Sequence, residues 1–600
     1  MKINTTLLLC TLLLLLYTQA FSVPATPYPI TRIQPDGSEL TVYLRGDEFF
    51  KYELTIDGYL IRRNKEGFYH YATKGKDGNI DLSNMRVNQI EKRNETEKFY
   101  LKSNTLFPDF KEVNFKKRAQ RAPSRDIKEN SFPKTGSPKS IVILVEFEDI
   151  SFVTPSPNTA FTNMLNQEGY TENGGTGSAR DYFKAASNGL STPEFVVVGP
   201  YRLPNNRVYY GENDGIGDDL RPREMIIDAC NAASANGVDF SIFDTDQDGV
   251  VDNVFVYYAG HNEAEGGPEE SIWPHRWNLY SNLTLNNKRI SGYACSSELR
   301  GSSGENMCGI GTFAHEFGHV YGLVDYYPTS NSEHHTLSNW NIMDDGAYLN
   351  QGRTPPTYSA FDRFYLSWLT PNILRSPRNV FLEDLKTSNI AYIITETGNH
   401  NLIGNDPDPV EFFTLENRQK TGWDAYIPAS GMLITRIYYN AFDWENNMPN
   451  NNSNAMGVDI IEADGMANKH TMTGDPFPGS AKITEYFPTL RNGTNINRPI
   501  TNISHKNGII SFEFMGGGNE DMIQFINKNN DMIVYNVGPQ EIILDKGKES
   551  EENNMVYVYN VTGQLIQQHE SNSQILSINN LMKNMIYIIK SGNKSIKIAL

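Results

Sequence analysis

His315-Glu316-Phe317-Gly318-His319-Val320-Tyr321-Gly322-Leu323-Val324-Asp325 is the stretch that orients the reading of the whole chain. Residues four apart on a helix share a face, so His315 and His319 aim two imidazole nitrogens at one ion while Glu316 reaches a water bound to it. Gly322, three residues beyond His319, can take the positive φ that ends a helix and turns the chain sharply, which returns Asp325 toward the metal. Three protein ligands with a fourth position left to water separate a catalytic Zn2+ site from a closed structural one. Histidine is scarce, 11 in 600 residues, and a chance HExxH over such a chain comes up roughly one time in a hundred. The spacing therefore predicts a hydrolytic zinc centre held by His315, His319 and Asp325, with Glu316 as general base.

Further on, Trp340-Asn341-Ile342-Met343-Asp344-Asp345-Gly346 puts a methionine in a tight polar turn, which suits a turn laid beneath the metal. Tyr348, just past it, is a candidate oxyanion donor, with a packed surface tyrosine as the plainer reading. Upstream, Asp244-Thr245-Asp246-Gln247-Asp248-Gly249-Val250-Val251-Asp252 has the carboxylate spacing of a calcium loop, with glycine at the bend. Phe255 stands where the loop's closing acid belongs. Asp244, Asp246, Asp248 and Asp252 are therefore expected to form either a shortened structural Ca2+ loop or an acidic turn that binds nothing.

A chain of 600 residues is too long for one core, and 39% apolar with 21% charged residues is ordinary globular composition. A net charge of −18 argues against nucleic acid or anionic lipid as the main partner. Lys2, an apolar run from Leu7 to Tyr17, and Thr18-Gln19-Ala20 read as an export signal over 1–20. That run is about half of what a spanning helix needs, so no transmembrane segment is expected after signal removal. Cys10 leaves with the signal. Of the rest, Cys295 and Cys308 are expected to form a disulfide and Cys230 a buried thiol.

Residues 21 to about 105 alternate polar and apolar positions around turn signals, a small β-rich unit that a polar, basic linker (Lys116 to Lys139) extends to 136. Such a linker suits either proteolytic nicking or a plain solvated loop. The near-continuous apolar run Ile141 to Phe147 reads as a buried strand opening a large region over 137–375. Beyond it, 376–515 is mostly strand-like (Tyr392 to Glu396, Phe412 to Glu416, Met432 to Tyr439, Ile509 to Phe514). Gly516-Gly517-Gly518 reads as a joint before a short-stranded unit over 519–600.

The zinc helix resembles that of the immune-inhibitor-A-like secreted metallopeptidases (family M6), a metzincin-like group. Other segments share the likeness: Phe147-Glu148-Asp149, Asp181-Tyr182-Phe183, Ser187-Asn188-Gly189, Val198-Gly199-Pro200-Tyr201, Tyr258-Ala259-Gly260, Leu415-Glu416-Asn417-Arg418-Gln419 and Asp475-Pro476-Phe477-Pro478-Gly479. Together they cover roughly 140–515. The resemblance implies an α+β fold with a metzincin-like catalytic region, zinc on His315, His319 and Asp325, and Glu316 as base. Metzincins usually carry histidine where Asp325 stands, so Asp344, Asp345 and Glu333 are the alternative third ligands. The leading unit looks like a propeptide, marking a zymogen. No cysteine lies between Ala20 and Cys230, so latency rests either on Asp47 or Glu48 capping the zinc or on steric occlusion. Residues 519–600 are similar to the sorting β-sandwich of the type IX secretion system, through Val556-Tyr557-Val558-Tyr559-Asn560-Val561-Thr562-Gly563-Gln564-Leu565 and Ile586-Tyr587-Ile588-Ile589-Lys590. An accessory binding domain is the other reading.

The function implied is a secreted zinc endopeptidase, exported or retained at the outer cell surface, whose partners are protein or peptide substrates and the secretion machinery. A surface adhesin on an inactive peptidase scaffold, and a zinc hydrolase of non-peptide amides or esters, are the competing readings.

Overall fold

The computed structural model describes residues 21–48, 50–74, 80–103, 132–213, 219–329 and 334–517, and in the C-terminal unit 525–526, 533–538, 541–546, 555–571, 575–582, 585–592 and 594–599. The expected signal (1–20), the basic stretch Lys116 to Arg125 and Glu333 lie outside the described residues. Among those described, no helix is long and apolar enough to cross a membrane.

The run from Ile141 to Val145 is fully buried because it is covered on both faces. It belongs to the strand Lys139–Glu146, inside a six-stranded sheet ordered Phe21–Ser22, His275–Asn278, Gly292–Leu299, Val254–His261, Lys139–Glu146, Glu194–Arg202. The last four strands run parallel to one another. His275–Asn278 joins antiparallel, and the N-terminal Phe21–Ser22 is added antiparallel outside it.

Alternation along the strand sorts two cores. Val142 and Leu144 pack with Phe313 and Phe317 of the helix Gly311–Tyr321, while Ile141, Ile143 and Val145 pack with Met225, Ile226 and Cys230 of the helix Pro222–Ala235. The same sorting corrects the disulfide expectation. Cys230, Cys295 and Cys308 are all free and buried. Cys295 belongs to the core with Cys230 and Cys308 to the core with Phe313, so the sheet stands between the two thiols expected to pair.

Residues 30–86 form a six-stranded antiparallel meander. Downstream, a five-stranded and a three-stranded sheet share a core of Leu374, Val380, Ile394, Phe413, Ile434 and Ile510. The strands Tyr392–Ile394, Glu411–Arg418, Gly431–Tyr438 and Ile509–Phe514 fall where the apolar runs place them. This region is tied to the preceding one by buried polar contacts: Arg418 pairs with Asp424 at 2.7 Å, Asp424 accepts the Thr357 amide at 2.9 Å, and Glu416 accepts the Ala360 amide at 2.6 Å. In the C-terminal unit two four-stranded sheets bury Val534, Ile542, Val556, Val558, Ile578 and Ile589 in one cluster. The chain is thus a mixed α and β structure of several sheets and few helices.

Candidate metal centre

Every residue of the helix Gly311–Tyr321 is buried. It ends at Gly322 with φ of 105°, whose amide bonds back to the Gly318 and His319 carbonyls. Gly318 is needed for a different reason: a Cβ there would lie 2.7 Å from Met343 Sδ and 3.0 Å from the Tyr358 hydroxyl. The Met343 turn is therefore pressed against the helix, held by the Met343 amide on Asn341 Oδ1 at 2.7 Å and the Tyr326 amide on the Met343 carbonyl at 2.8 Å.

This turn and the helix cap set the imidazoles. His315 Nδ1 donates to the Ile342 carbonyl at 2.7 Å, and His319 Nδ1 to the Leu323 carbonyl at 3.0 Å. A ring nitrogen that donates to a carbonyl leaves the other with its lone pair, so both Nε2 atoms face inward as acceptors. They stand 3.1 Å apart, and Asp325 Oδ1 lies 3.2 Å from each. Ligands held at tetrahedral zinc distances stand about 3.3 Å from one another, close to the edges of this triangle. Converging lone pairs and a carboxylate oxygen repel unless a cation lies among them, so the donor set fits a zinc ion in chemistry and in spacing.

Asp325 is placed by a residue the sequence did not single out. Asn447, just past the short helix Ala441–Glu445, donates from Nδ2 to Asp325 Oδ2 at 2.5 Å and accepts the Asp325 amide on Oδ1 at 2.7 Å. The alternative acids are engaged elsewhere. Asp344 accepts from the Thr336 hydroxyl and the Ser338 amide, and Asp345 pairs with Lys469 at 2.7 Å. Burial, helped by Asp325 and Glu48, pushes Glu316 well above its usual range. Glu316 is thereby a carboxylate with high affinity for a proton, beside the ligand triangle.

A peptide unit crosses this triangle. The Ser22 carbonyl oxygen lies 3.2 Å from His315 Nε2 and accepts from the Tyr327 hydroxyl at 2.6 Å. The Val23 amide donates to Glu316 Oε1 at 3.0 Å, while Glu316 Oε2 is buried without a hydrogen-bond partner. Trp273 Nε1 donates to the Val23 carbonyl at 3.0 Å and the Tyr348 hydroxyl to the Pro24 carbonyl at 2.6 Å. Tyr348 thus binds main chain two residues beyond Ser22, and Tyr327 is the hydroxyl at the carbonyl over the centre. Glu48 bonds the Ser22 hydroxyl, and neither it nor Asp47 belongs to the donor cluster. Tyr327, Asn447 and Trp273 carry no spacing signal, since their contacts join residues more than a hundred positions apart.

The second acidic motif is gathered in part. Asp244, Asp246 and Asp252 bring carboxylate oxygens within 4.8 Å of one another. Asp248 instead accepts the Val250 amide at 2.8 Å, and Lys288 pairs with Asp244 at 2.6 Å. Burial pushes Asp252 up to about 6.

Fold and centre together define a mixed α and β domain with a buried two-histidine, one-carboxylate constellation that could hold a metal ion. Residues 130–370 match the family model of the immune inhibitor A peptidase M6 catalytic domain. The chain is 26% identical over 268 residues to immune inhibitor A of Bacillus thuringiensis subsp. alesti, covering 37% of this chain and 38% of that protein. It is also 26% identical over 271 residues to the pre-pro-metalloprotease PrtV of Vibrio cholerae serotype O1, covering 38% of this chain and 29% of that one. The chain therefore spans about a third of the length of these curated relatives.

Proposed function

We propose that the chain is a secreted zinc-dependent endopeptidase of metzincin-like type, made as a zymogen, with His315, His319 and Asp325 as zinc ligands and Glu316 as general base. The observation that carries this reading is the Ser22–Val23 peptide unit, whose carbonyl oxygen stands beside the donor triangle and accepts from the Tyr327 hydroxyl and whose amide donates to Glu316. A scissile bond needs the same partners. Its oxygen must be polarised, and its nitrogen must face the group that delivers a proton.

Zinc bound there would supply a Lewis acid for the carbonyl and a water acidified toward neutrality. Glu316 takes the proton of the attacking water on a carboxylate oxygen and passes it to the leaving nitrogen, which the position of the Val23 amide represents. The Tyr327 hydroxyl donates to the carbonyl oxygen as negative charge grows on it. Trp273 and Tyr348 hold the main chain on the leaving-group side. Latency follows from occupancy. The added strand Phe21–Ser22 and the main chain that follows it to Thr26 lie across the donor triangle and its flank, so substrate cannot enter until the N-terminal unit leaves. This is the occluding mode, with main chain and not an acidic side chain over the metal position.

The C-terminal unit is read as a type IX sorting domain. Deleting 519–600 should trap active enzyme in the cell envelope, whereas loss of an accessory binding domain would leave secretion intact. The loop Asp244 to Asp252 is read as a shortened calcium site, because Asp244 Oδ1 is buried without a hydrogen-bond partner beside Asp246 and Asp252.

Cleavage of denatured casein by the processed chain, abolished by a chelator and restored by zinc, tests the function. An inert protein that binds zinc would favour the adhesin reading, and cleavage of esters or small amides alone the non-peptide hydrolase.

A further inference from the structure

The N-terminal unit does more than cover the centre, for it sends cations onto one stretch of the neighbouring region. Arg32 donates to the Gly266 and Gly267 carbonyls at 2.7 and 3.2 Å, and Arg63 lies 3.7 Å from Glu269. Lys51 goes deepest. Its ammonium pairs with Glu263 at 2.5 Å, a carboxylate whose side chain is 2% exposed. It also donates to Asn213 Oδ1 at 3.1 Å and lies 5.6 Å from the centre of the Trp273 ring. Asp219 completes the pocket. Its Oδ2 accepts the Trp273 amide at 2.9 Å, while its Oδ1 is buried without a hydrogen-bond partner.

This pocket flanks the track that a substrate would follow. The track runs from Val23, whose carbonyl is held by Trp273, to Thr26, whose amide donates to the Ala264 carbonyl at 2.9 Å. Ala264 adjoins Glu263. Midway, the Ala25 amide donates to the Gly46 carbonyl at 2.8 Å, and Gly46 pairs in register with Lys51. Lys51 therefore enters the acidic pocket level with Ala25, from a strand that departs with the N-terminal unit. Once Lys51 has left, Glu263 and Asp219 line an acidic pocket beside the track, and a new cation entering along it replaces the lost counter-ion.

Resting on the peptidase reading, we propose that in the processed enzyme the Glu263 and Asp219 pocket is a specificity subsite for a lysine or arginine side chain two to four residues beyond the scissile bond on its leaving-group side. Lys51 is the stand-in for that side chain while the enzyme is latent. The stem of a long basic residue would lie against Trp273 and its head between the carboxylates.

The test uses the full chain, loaded with zinc, nicked by immobilised trypsin and then freed by size exclusion of both that protease and the N-terminal unit. Quenched fluorescent peptides would differ only in carrying Lys, Met or Glu at the second, third or fourth position after the bond. At one of these positions Lys should exceed Met by about tenfold in kcat/KM, with Glu the poorest. Glu263→Gln and, separately, Asp219→Asn should collapse the Lys to Met ratio toward one. Equal rates for Lys and Met at all three positions of the unaltered enzyme overturn the subsite while leaving the peptidase reading standing. So does a Lys preference that survives both variants. Failure to cleave any peptide or casein overturns the peptidase reading and the subsite with it.

Discussion

The main-chain amide of Val23 lies 3.0 Å from Oε1 of Glu316, a residue 293 positions further along the chain. The buried carboxylate beside the donor triangle is thus occupied by a backbone donor that follows the N-terminal strand Phe21–Ser22. In the proposed mechanism this one hydrogen bond joins latency to chemistry.

Replacing Glu316 by glutamine keeps the shape of the side chain and its ability to bond the Val23 amide but removes the proton acceptor. Processed Glu316→Gln protein is expected to hold zinc at the parental stoichiometry and to lose about 1,000-fold or more in kcat, read with casein alongside metal analysis. Parental cleavage by this variant would remove Glu316 from the mechanism.

Tyr327 is argued to donate to the carbonyl oxygen, so its hydroxyl should matter more to the transition state than to substrate affinity. Tyr327→Phe is expected to lower kcat by about 100-fold with little change in KM. An equal change in Tyr348→Phe and none in Tyr327→Phe would reverse the two assignments.

Asn447 touches Asp325 at two points and no other part of the donor triangle. Asn447→Ala is expected to weaken zinc affinity by about 10 to 100-fold, measured by competition with a chromogenic chelator. Activity at saturating zinc should recover in part, and unchanged affinity would reduce Asn447 to a packing role.

How far these contacts were legible in the sequence varies with the distance they span. His315, Glu316 and His319 could be read because a helix fixes their relative directions within five residues, and Gly322 announced the turn that returns Asp325. The apolar run at Ile141 announced a strand covered on both faces. Nothing local marks Asn447, Tyr327 or Trp273, since their roles arise only when distant elements pack. The cysteines show the same limit from the other side. The separation of Cys295 and Cys308 along the chain is compatible with a bridge, but it carries no information about the sheet that lies between them.

Calcium in the loop Asp244 to Asp252 would neutralise three converging carboxylates and stabilise the fold that gathers them. Metal-stripped protein with zinc restored is expected to melt a few degrees higher when millimolar calcium is added. Asp246→Asn should remove that increment, and an unchanged midpoint in the parental protein would leave the loop as an acidic turn.

The clamp on Asp325 also bears on what counts as the catalytic portion of this chain. Family-model correspondence stops at residue 370, yet the side chain that holds Asp325 comes from residue 447, and Glu416 and Asp424 hold the Ala360 and Thr357 amides from beyond the same point. A fragment trimmed to the matched span would carry His315, Glu316, His319 and Asp325 while lacking the Asn447 side chain that aims Asp325. The contacts that hold Asp325 therefore extend past the matched span to residue 447, and boundaries drawn from sequence likeness would cut through the unit that shapes the donor triangle.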